Sequence, residues 1–235
     1  MSKIFCAIDT EDLGYALNMA DMMAKAGCGI KLGMEFFNAL GPQGIAKMRD
    51  AHPDLPLFID LKYHDIPNTV AGAVRAITRL EPAYINVHAS GGKAMMQAAQ
   101  DTMTQISPST KLLAVTLLTS MDENDLSDIG MKSGTKDRVL QLATLTKECG
   151  LAGIVCSSHE IETVRAKLGN NFTLMVPGIR PASSANANKP DDQKRIVTPR
   201  DALAKGATHL VIGRPITQAD DPLKAAEDII DSFAS

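Results

Sequence analysis

Residues 55–62 read LPLFIDLK, an apolar run that turns charged only towards its end. In a strand, side chains two apart share a face, so Asp60 and Lys62 point the same way as Phe58, while Ile59 and Leu61 take the other side. A run with so little polar alternation suits a parallel strand whose outer face is covered by helices. Seven more runs of this kind follow the same rhythm: IFCAID (4–9), GIKLG (29–33), YINVHA (84–89), KLLAVTLL (111–118), GIVCSS (153–158), FTLMVPGI (172–179) and HLVIGR (209–214). Helical patterns lie between them. In 11–26 the residues Leu13, Leu17, Ala20, Met23 and Ala24 recur at steps suited to one helix face, and 68–80, 91–106, 136–149, 158–168, 198–205 and 221–233 behave alike. Ser157 with Glu160 reads as a capping box, and Thr198-Pro199 as a capping hydroxyl before a first-turn proline. Eight strands alternating with helices predict a single-domain (β/α)₈ TIM barrel over 1–235, a fold that usually takes ~250 residues. A doubly wound sheet binding a dinucleotide would carry an early G-x-G-x-x-G, whereas the first strand here leads into AIDTEDLGYA.

Composition narrows the class. The chain has 235 residues, 45% of them apolar and 22% charged, the proportions of an ordinary globular protein. At this length roughly 70–75% of the unfolded surface can be buried, so no disulfide or metal staple is needed. The formal charge of −3 lacks the clustered basic excess that nucleic-acid binding requires. The longest apolar stretch, 112–118, falls far short of the ~20 residues that cross a bilayer. The start MSKIFCAIDT is too briefly apolar for a signal peptide. These features predict a soluble cytoplasmic protein with neither nucleic acid nor membrane as partner. Cys6, Cys28, Cys149 and Cys156 form no C-x-x-C pair, and the five histidines are scattered. The cysteines therefore read as small buried hydrophobes in a reducing compartment, with no metal site.

In a barrel the strand C-terminal ends face the functional mouth. Those ends carry Asp9, Lys31, Asp60, Lys62, Asn86, His88, Thr119, Arg180 and Arg214. Burying charges is expensive unless they are paired, so such a cluster is a functional candidate as well as a possible structural ion pair. Lys31, Asp60, Lys62 and Asp65 could form an alternating, formally neutral chain that keeps Lys62 protonated and fixed, as a general acid must be. The ends VPGIR (176–180) and VIGR (211–214) fall where this fold often binds phosphate. There Gly178 and Gly213 allow close backbone approach, and Arg180 and Arg214 offer planar donors. The irregular stretch PASSANANKPDDQK (181–194) is either a tolerated surface insertion or an active-site lid, and its place after the seventh strand favours the lid.

The run DLKYHDIPNT (60–69) is the most specific motif. With AID (7–9), KLG (31–33), NVHASGG (86–92), LTS (118–120), PGIR (177–180) and IGRPIT (212–217), the sequence resembles bacterial orotidine 5′-phosphate decarboxylases along essentially its whole length. That resemblance implies a homodimeric (β/α)₈ barrel that converts orotidine 5′-phosphate to UMP and CO₂, without metal or organic cofactor, as the last step of de novo pyrimidine synthesis. By position, Lys62 matches the proton donor to C6 and Asp60 the carboxylate beside the departing CO₂. Lys31 and Asp65 match the other charged members, with Asp65, Ile66 and Thr69 reaching across the dimer interface. Asp9 and Lys31 match ribose ligands, and Thr119 lies in the turn facing the pyrimidine. Arg180, Gln193, Gly213 and Arg214 match the phosphate and lid contacts.

Two rival readings share these residues. Sugar-phosphate decarboxylases and aldolases of the same wider group use the D-x-K-x-x-D positions with Mg²⁺, though the H-D-I-P-N-T continuation favours the nucleotide enzyme. A catalytically silent phosphate-ligand sensor would share the barrel, but all four charged positions are present.

Overall fold

The computed structural model describes residues 2–106, 109–131, 134–181 and 197–234. Its strands are β1 (Ile4–Ile8), β2 (Gly29–Leu32), β3 (Leu57–Tyr63), β4 (Tyr84–His88), β5 (Lys111–Val115), β6 (Gly153–Val155), β7 (Thr173–Pro177) and β8 (His209–Ile212). All neighbouring pairs are parallel, and β8 closes onto β1. This is the expected (β/α)₈ barrel. Its helices are α1 (Leu13–Lys25), α2 (Met34–Ala51), α3 (Pro67–Ile77), α4 (Gly92–Ile106), α5 (Glu123–Asp128), α6 (Thr135–Glu148), α7 (Ile161–Leu168), α8 (Pro199–Ala204), α9 (Arg214–Thr217) and α10 (Pro222–Ala234).

Several local expectations are corrected. Helix α2 lies where no helix was anticipated, because Gly41-Pro42 interrupts its periodicity. The backbone turns at Gly41 (φ 62°), which only glycine adopts cheaply, and two helical pieces run on across the kink. Strand β5 stops at Val115, short of 118. The Ser157–Glu160 capping box forms only in part before α7: the Glu160 carboxyl accepts from Ser157, but the Glu160 N–H turns to the Ser157 carbonyl and not to its hydroxyl. Glu160 itself occupies the cap position, and Ser157 Oγ accepts from the His159 N–H at 3.2 Å in the preceding turn. The capping box that does form joins Asp122 and Asp125 on α5. Thr198 caps α8 as expected, with Pro199 in its first turn.

The strands bury both faces. Ile4, Cys6, Ile8, Ile30, Leu32 and Ile59 point outward into the layer shared with the helices. Phe5, Ala7, Phe58, Tyr84, Leu113, Met175 and Val211 fill the barrel axis. All four cysteines are buried free thiols, and burial pushes Cys6 up to about 12 and Cys28 up to about 11, so both stay uncharged. Phe5 meets Tyr84 and His209 edge-on, at 5.6 and 5.5 Å between ring centres. Below them a polar relay runs from Tyr84 Oη to His209 Nε2 (2.8 Å) and from His209 Nδ1 to the Ser2 carbonyl (2.9 Å). A carbonyl only accepts, so Nδ1 carries the proton and Nε2 accepts from the tyrosine hydroxyl. Two arginines tie the loops at this N-terminal end. Arg165 donates to the carbonyls of Gly206, Gly169 and Phe172 and to Thr208 Oγ1, and Arg49 to the carbonyls of Pro53, Leu55 and Glu81.

Burial holds the His209 imidazole below its ordinary value. The unfolded chain takes up this proton near pH 6.5, before the folded chain does. Stability is therefore complete above about pH 6.5 and falls as the pH drops, levelling once the folded ring itself protonates. Urea midpoints between pH 7.5 and 5 are expected to decline, and His209→Gln is expected to flatten that decline. An unchanged slope in the variant would refute the assignment.

Candidate active site

Four charged side chains meet at the C-terminal mouth of the barrel. Lys31, inward on β2, lies 3.5 Å from Asp9 Oδ1 just beyond β1 and 3.4 Å from Asp60 Oδ2 on β3. Lys62 Nζ lies 2.8 Å from Asp60 Oδ1. The order Asp9–Lys31–Asp60–Lys62 alternates in sign and sums to zero. Lys31 and Asp60 are only 9% and 8% exposed, so each depends on its partners. Deleting one member of such a buried pair typically costs about 3–5 kcal/mol. Gly33 keeps the room they need, since a Cβ there would sit 3.2 Å from both Asp9 Oδ1 and Lys31 Nζ.

Burial alone would raise the Asp60 carboxyl. The ammonium groups of Lys31 and Lys62, with hydrogen bonds from Lys62 and Asn86, outweigh it and hold Asp60 below its ordinary value. Asp60 is therefore a carboxylate at neutral pH.

The pleat alone does not explain the geometry. Ile59 pairs with Ile85 and Tyr63 with Val87, so β3 takes four steps where β4 takes two. The surplus is a bulge, and Lys62 sits in it at φ 53°, a left-handed conformation that strains a side-chain-bearing residue by about 1–3 kcal/mol. Asn86, fully buried on β4, spans the bulge. Its Oδ1 accepts the Lys62 N–H at 2.8 Å, and its Nδ2 donates to Asp60 Oδ1 at 2.7 Å. Sequence reading placed Asn86 at a strand end but gave it no role.

Lys31, Asp60 and Lys62 line a cavity of about 190 Å³ whose remaining lining is mostly apolar, including Val115, Leu117 and Val155. Thr119, in the turn beyond β5, also lines it. Whole-ligand pockets usually measure roughly 300–1,000 Å³, so this one suits the reacting part of a larger molecule. Strands β7 and β8 are neighbours, which puts Arg180, half-buried beyond β7, and Arg214, exposed at the first turn of α9, on adjacent strand ends. Between them Gly178 (φ 76°) takes a turn that disfavours any side chain, and Gly213 opens α9. Gln193 and all of the expected lid except Pro181 lie outside the described residues.

Asp65 does not join this charged chain. Among the described residues it makes no ion pair, and its Oδ1 accepts the Ile66 N–H at 2.6 Å. Residues 64–69 are all exposed, and Ile66 is 66% exposed although apolar. His88, on β4 near Lys62, faces the His64 ring at 5.5 Å, and burial, aided by His64 and Lys62, holds its imidazole below the ordinary value. Among the described residues no three His, Cys, Asp or Glu side chains gather as a metal site would need, and no helix is long and apolar enough to cross a membrane.

The sequence model of the orotidine 5′-phosphate decarboxylase / HUMPS family matches residues 2–229. The chain belongs to that family. Every residue of the mouth described above falls inside the matched range. An orotidine 5′-phosphate decarboxylase of Rhodospirillum rubrum is 51% identical over 231 residues, covering 96% of this chain and 91% of the relative. One of Nitrosococcus oceani is 47% identical over 228 residues, covering 97% and 96%. The crystal structure of orotidine 5′-phosphate decarboxylase from Lactobacillus acidophilus superposes with a TM-score of 0.85 at 33% identity, covering both chains completely. The likeness to that barrel thus runs over the whole chain.

Proposed function

We propose that this chain decarboxylates orotidine 5′-phosphate to UMP and CO₂, the last step of de novo pyrimidine synthesis, as a cytoplasmic homodimer that needs no cofactor. The observation that carries the reading is the neutral Asp9–Lys31–Asp60–Lys62 chain, whose Lys62 end borders a small, mostly apolar cavity. Relatives that bear this activity in their names support it over the sugar-phosphate and sensor alternatives.

The reaction breaks the C6–carboxylate bond and leaves its electron pair on C6, with little resonance help, while CO₂ departs. The Lys62 ammonium stabilises that developing charge and donates a proton to C6; the resulting amine recovers its proton from water, so one proton is consumed per turnover. At 4 Å and an effective dielectric of 20, a unit charge pair is worth about 4 kcal/mol, and the ammonium is already oriented by Asp60 before reaction begins. Asp60 also faces the substrate carboxylate, but repulsion in the ground state ranks below the Lys62 contribution. Lys31 and Asp9 hold the ribose hydroxyls, and Thr119 faces the pyrimidine. Arg180, Gly213, Arg214 and Gln193 take the phosphate, whose binding energy drives closure of the 181–194 lid. Asp65, Ile66 and Thr69 complete the partner's site. The exposure of an apolar Ile66 beside an unpaired carboxylate supports that arrangement, as an isologous contact would cover the one and neutralise the other.

The test follows the absorbance of orotidine 5′-phosphate with purified protein in excess EDTA. Loss of absorbance at catalytic protein concentrations is expected; no loss, or loss only after Mg²⁺ is restored, overturns the reading. Arg214→Ala is expected to weaken the phosphorylated substrate by about 1.5–3 kcal/mol, roughly 10- to 150-fold in KM, as charge-assisted contacts are lost. Orotidine without its phosphate should scarcely notice the change. Equal losses for both substrates would make Arg214 a structural residue.

A further inference from the structure

We propose that Asn86 is a positioning residue for catalysis, setting the Lys62 ammonium and the Asp60 carboxylate by bridging the bulge between them. The inference rests on the decarboxylase reading and deepens it.

The amide does two separate things. Its oxygen holds the Lys62 N–H (2.8 Å), and its NH₂ group holds Asp60 Oδ1 (2.7 Å), the oxygen that Lys62 Nζ also contacts at 2.8 Å. Backbone of Lys62, carboxylate of Asp60 and ammonium of Lys62 thus close a ring through one side chain. Lys62 needs that restraint. At φ 53° its own preferences oppose the observed conformation, and the β3–β4 ladder is out of register there. Without the amide, the bulge loses a tie to β4 at the residue whose side chain must meet the reacting atom. Few side chains can substitute. The position is fully buried, so water does not readily replace it, and it must accept from an N–H and donate to a carboxylate at once. Asparagine has one acceptor and one donor end at the required separation. Asn86 borders the reacting groups without lining the cavity, which makes it a support for Lys62 and Asp60.

The chemistry of the amide supplies a discriminating variant. Asn86→Asp preserves size and the acceptor for Lys62. When ionised, the introduced carboxylate opposes Asp60; when protonated, its O–H donates to Asp60 as the amide did. Its activity is therefore expected to rise relative to wild type as the pH falls. A residue that merely filled space would confer no such trend.

The experiment measures kcat and KM for orotidine 5′-phosphate from pH 5 to 8 in wild type, Asn86→Asp and Asn86→Ala, with UMP binding and melting temperature as checks of folding. Turnover by wild type tests the decarboxylase reading by itself. Given that turnover, both variants are expected to lose at least about 30-fold in kcat at pH 7.5 with KM within about threefold, and Asn86→Asp to recover at least fivefold relative to wild type by pH 5.5. If Asn86→Ala does not fold, the isosteric Asn86→Asp decides alone. A folded Asn86→Asp with wild-type kcat, or with a loss that ignores pH, overturns the positioning role and leaves the decarboxylase reading standing.

Discussion

Lys62→Ala is expected to lower kcat/KM by at least about 10⁴-fold while UMP binding and the melting temperature change little. The magnitude follows from two losses at one atom. A preorganised group facing developing charge is typically worth about 10²–10³ in rate, and a positioned proton donor about 10²–10⁴. Together they exceed about 5 kcal/mol of barrier. Folding should tolerate the change, because Lys62 lies beyond the packed section of β3 and alanine suffers no more than lysine from the positive φ. The variant leaves Asp60 with Lys31 and Asn86, so no buried charge is stranded. A loss of only about tenfold, ~1.4 kcal/mol, would remove Lys62 from the chemical step.

Mixing two dead proteins should restore activity. Asp65→Ala alone is expected to be inactive, since the carboxylate contributed by the neighbouring subunit would be missing from every site. In a dimer of one Lys62→Ala subunit and one Asp65→Ala subunit, one shared site collects both lesions and the other none. Random exchange at equal concentrations makes half of the dimers mixed, each with one intact site, so about a quarter of wild-type activity should return. If Asp65 serves its own subunit, every site keeps a lesion and the mixture stays inactive. Persistent inactivity with heterodimers demonstrated would refute the shared site. Among the described residues Asp65 has no ion-pair partner, which leaves its charge available to a neighbouring subunit.

How far the sequence could be read depends on whether the informative signal was local. Apolar runs bounded by polar stops marked all eight strands within a few residues, because both faces of each strand are buried. Helix α2 escaped because Gly41-Pro42 imitates a terminus, although the chain resumes its helix after a kink. In the mouth, alternation along β3 put Asp60 and Lys62 on one side, and they do meet, but by way of a bulge that no period-two pattern contains. The bulge became visible only when β3 was laid against β4. For the same reason Asn86 carried no role in the sequence: its meaning is a pair of hydrogen bonds to residues more than twenty positions away. The charged chain was foreseen with Asp65 as its end member. In the structure Asp9 takes the Lys31 end, and Asp65 stands outside.

The aromatic and methionine plug across the barrel axis has a consequence for product traffic. Phe5, Phe58, Tyr84 and Met175 fill the space beneath the charged mouth, and the Tyr84–His209–Ser2 relay occupies the floor. Among the described residues this packing closes the barrel axis below the mouth, so the mouth is the route the axis leaves open. In the proposed reaction, the CO₂ released beside Asp60 leaves by the passage that admitted the nucleotide. Gas escape and nucleotide exchange then share one exit, so a change at the strand-end loops that hinders opening slows the departure of both products together.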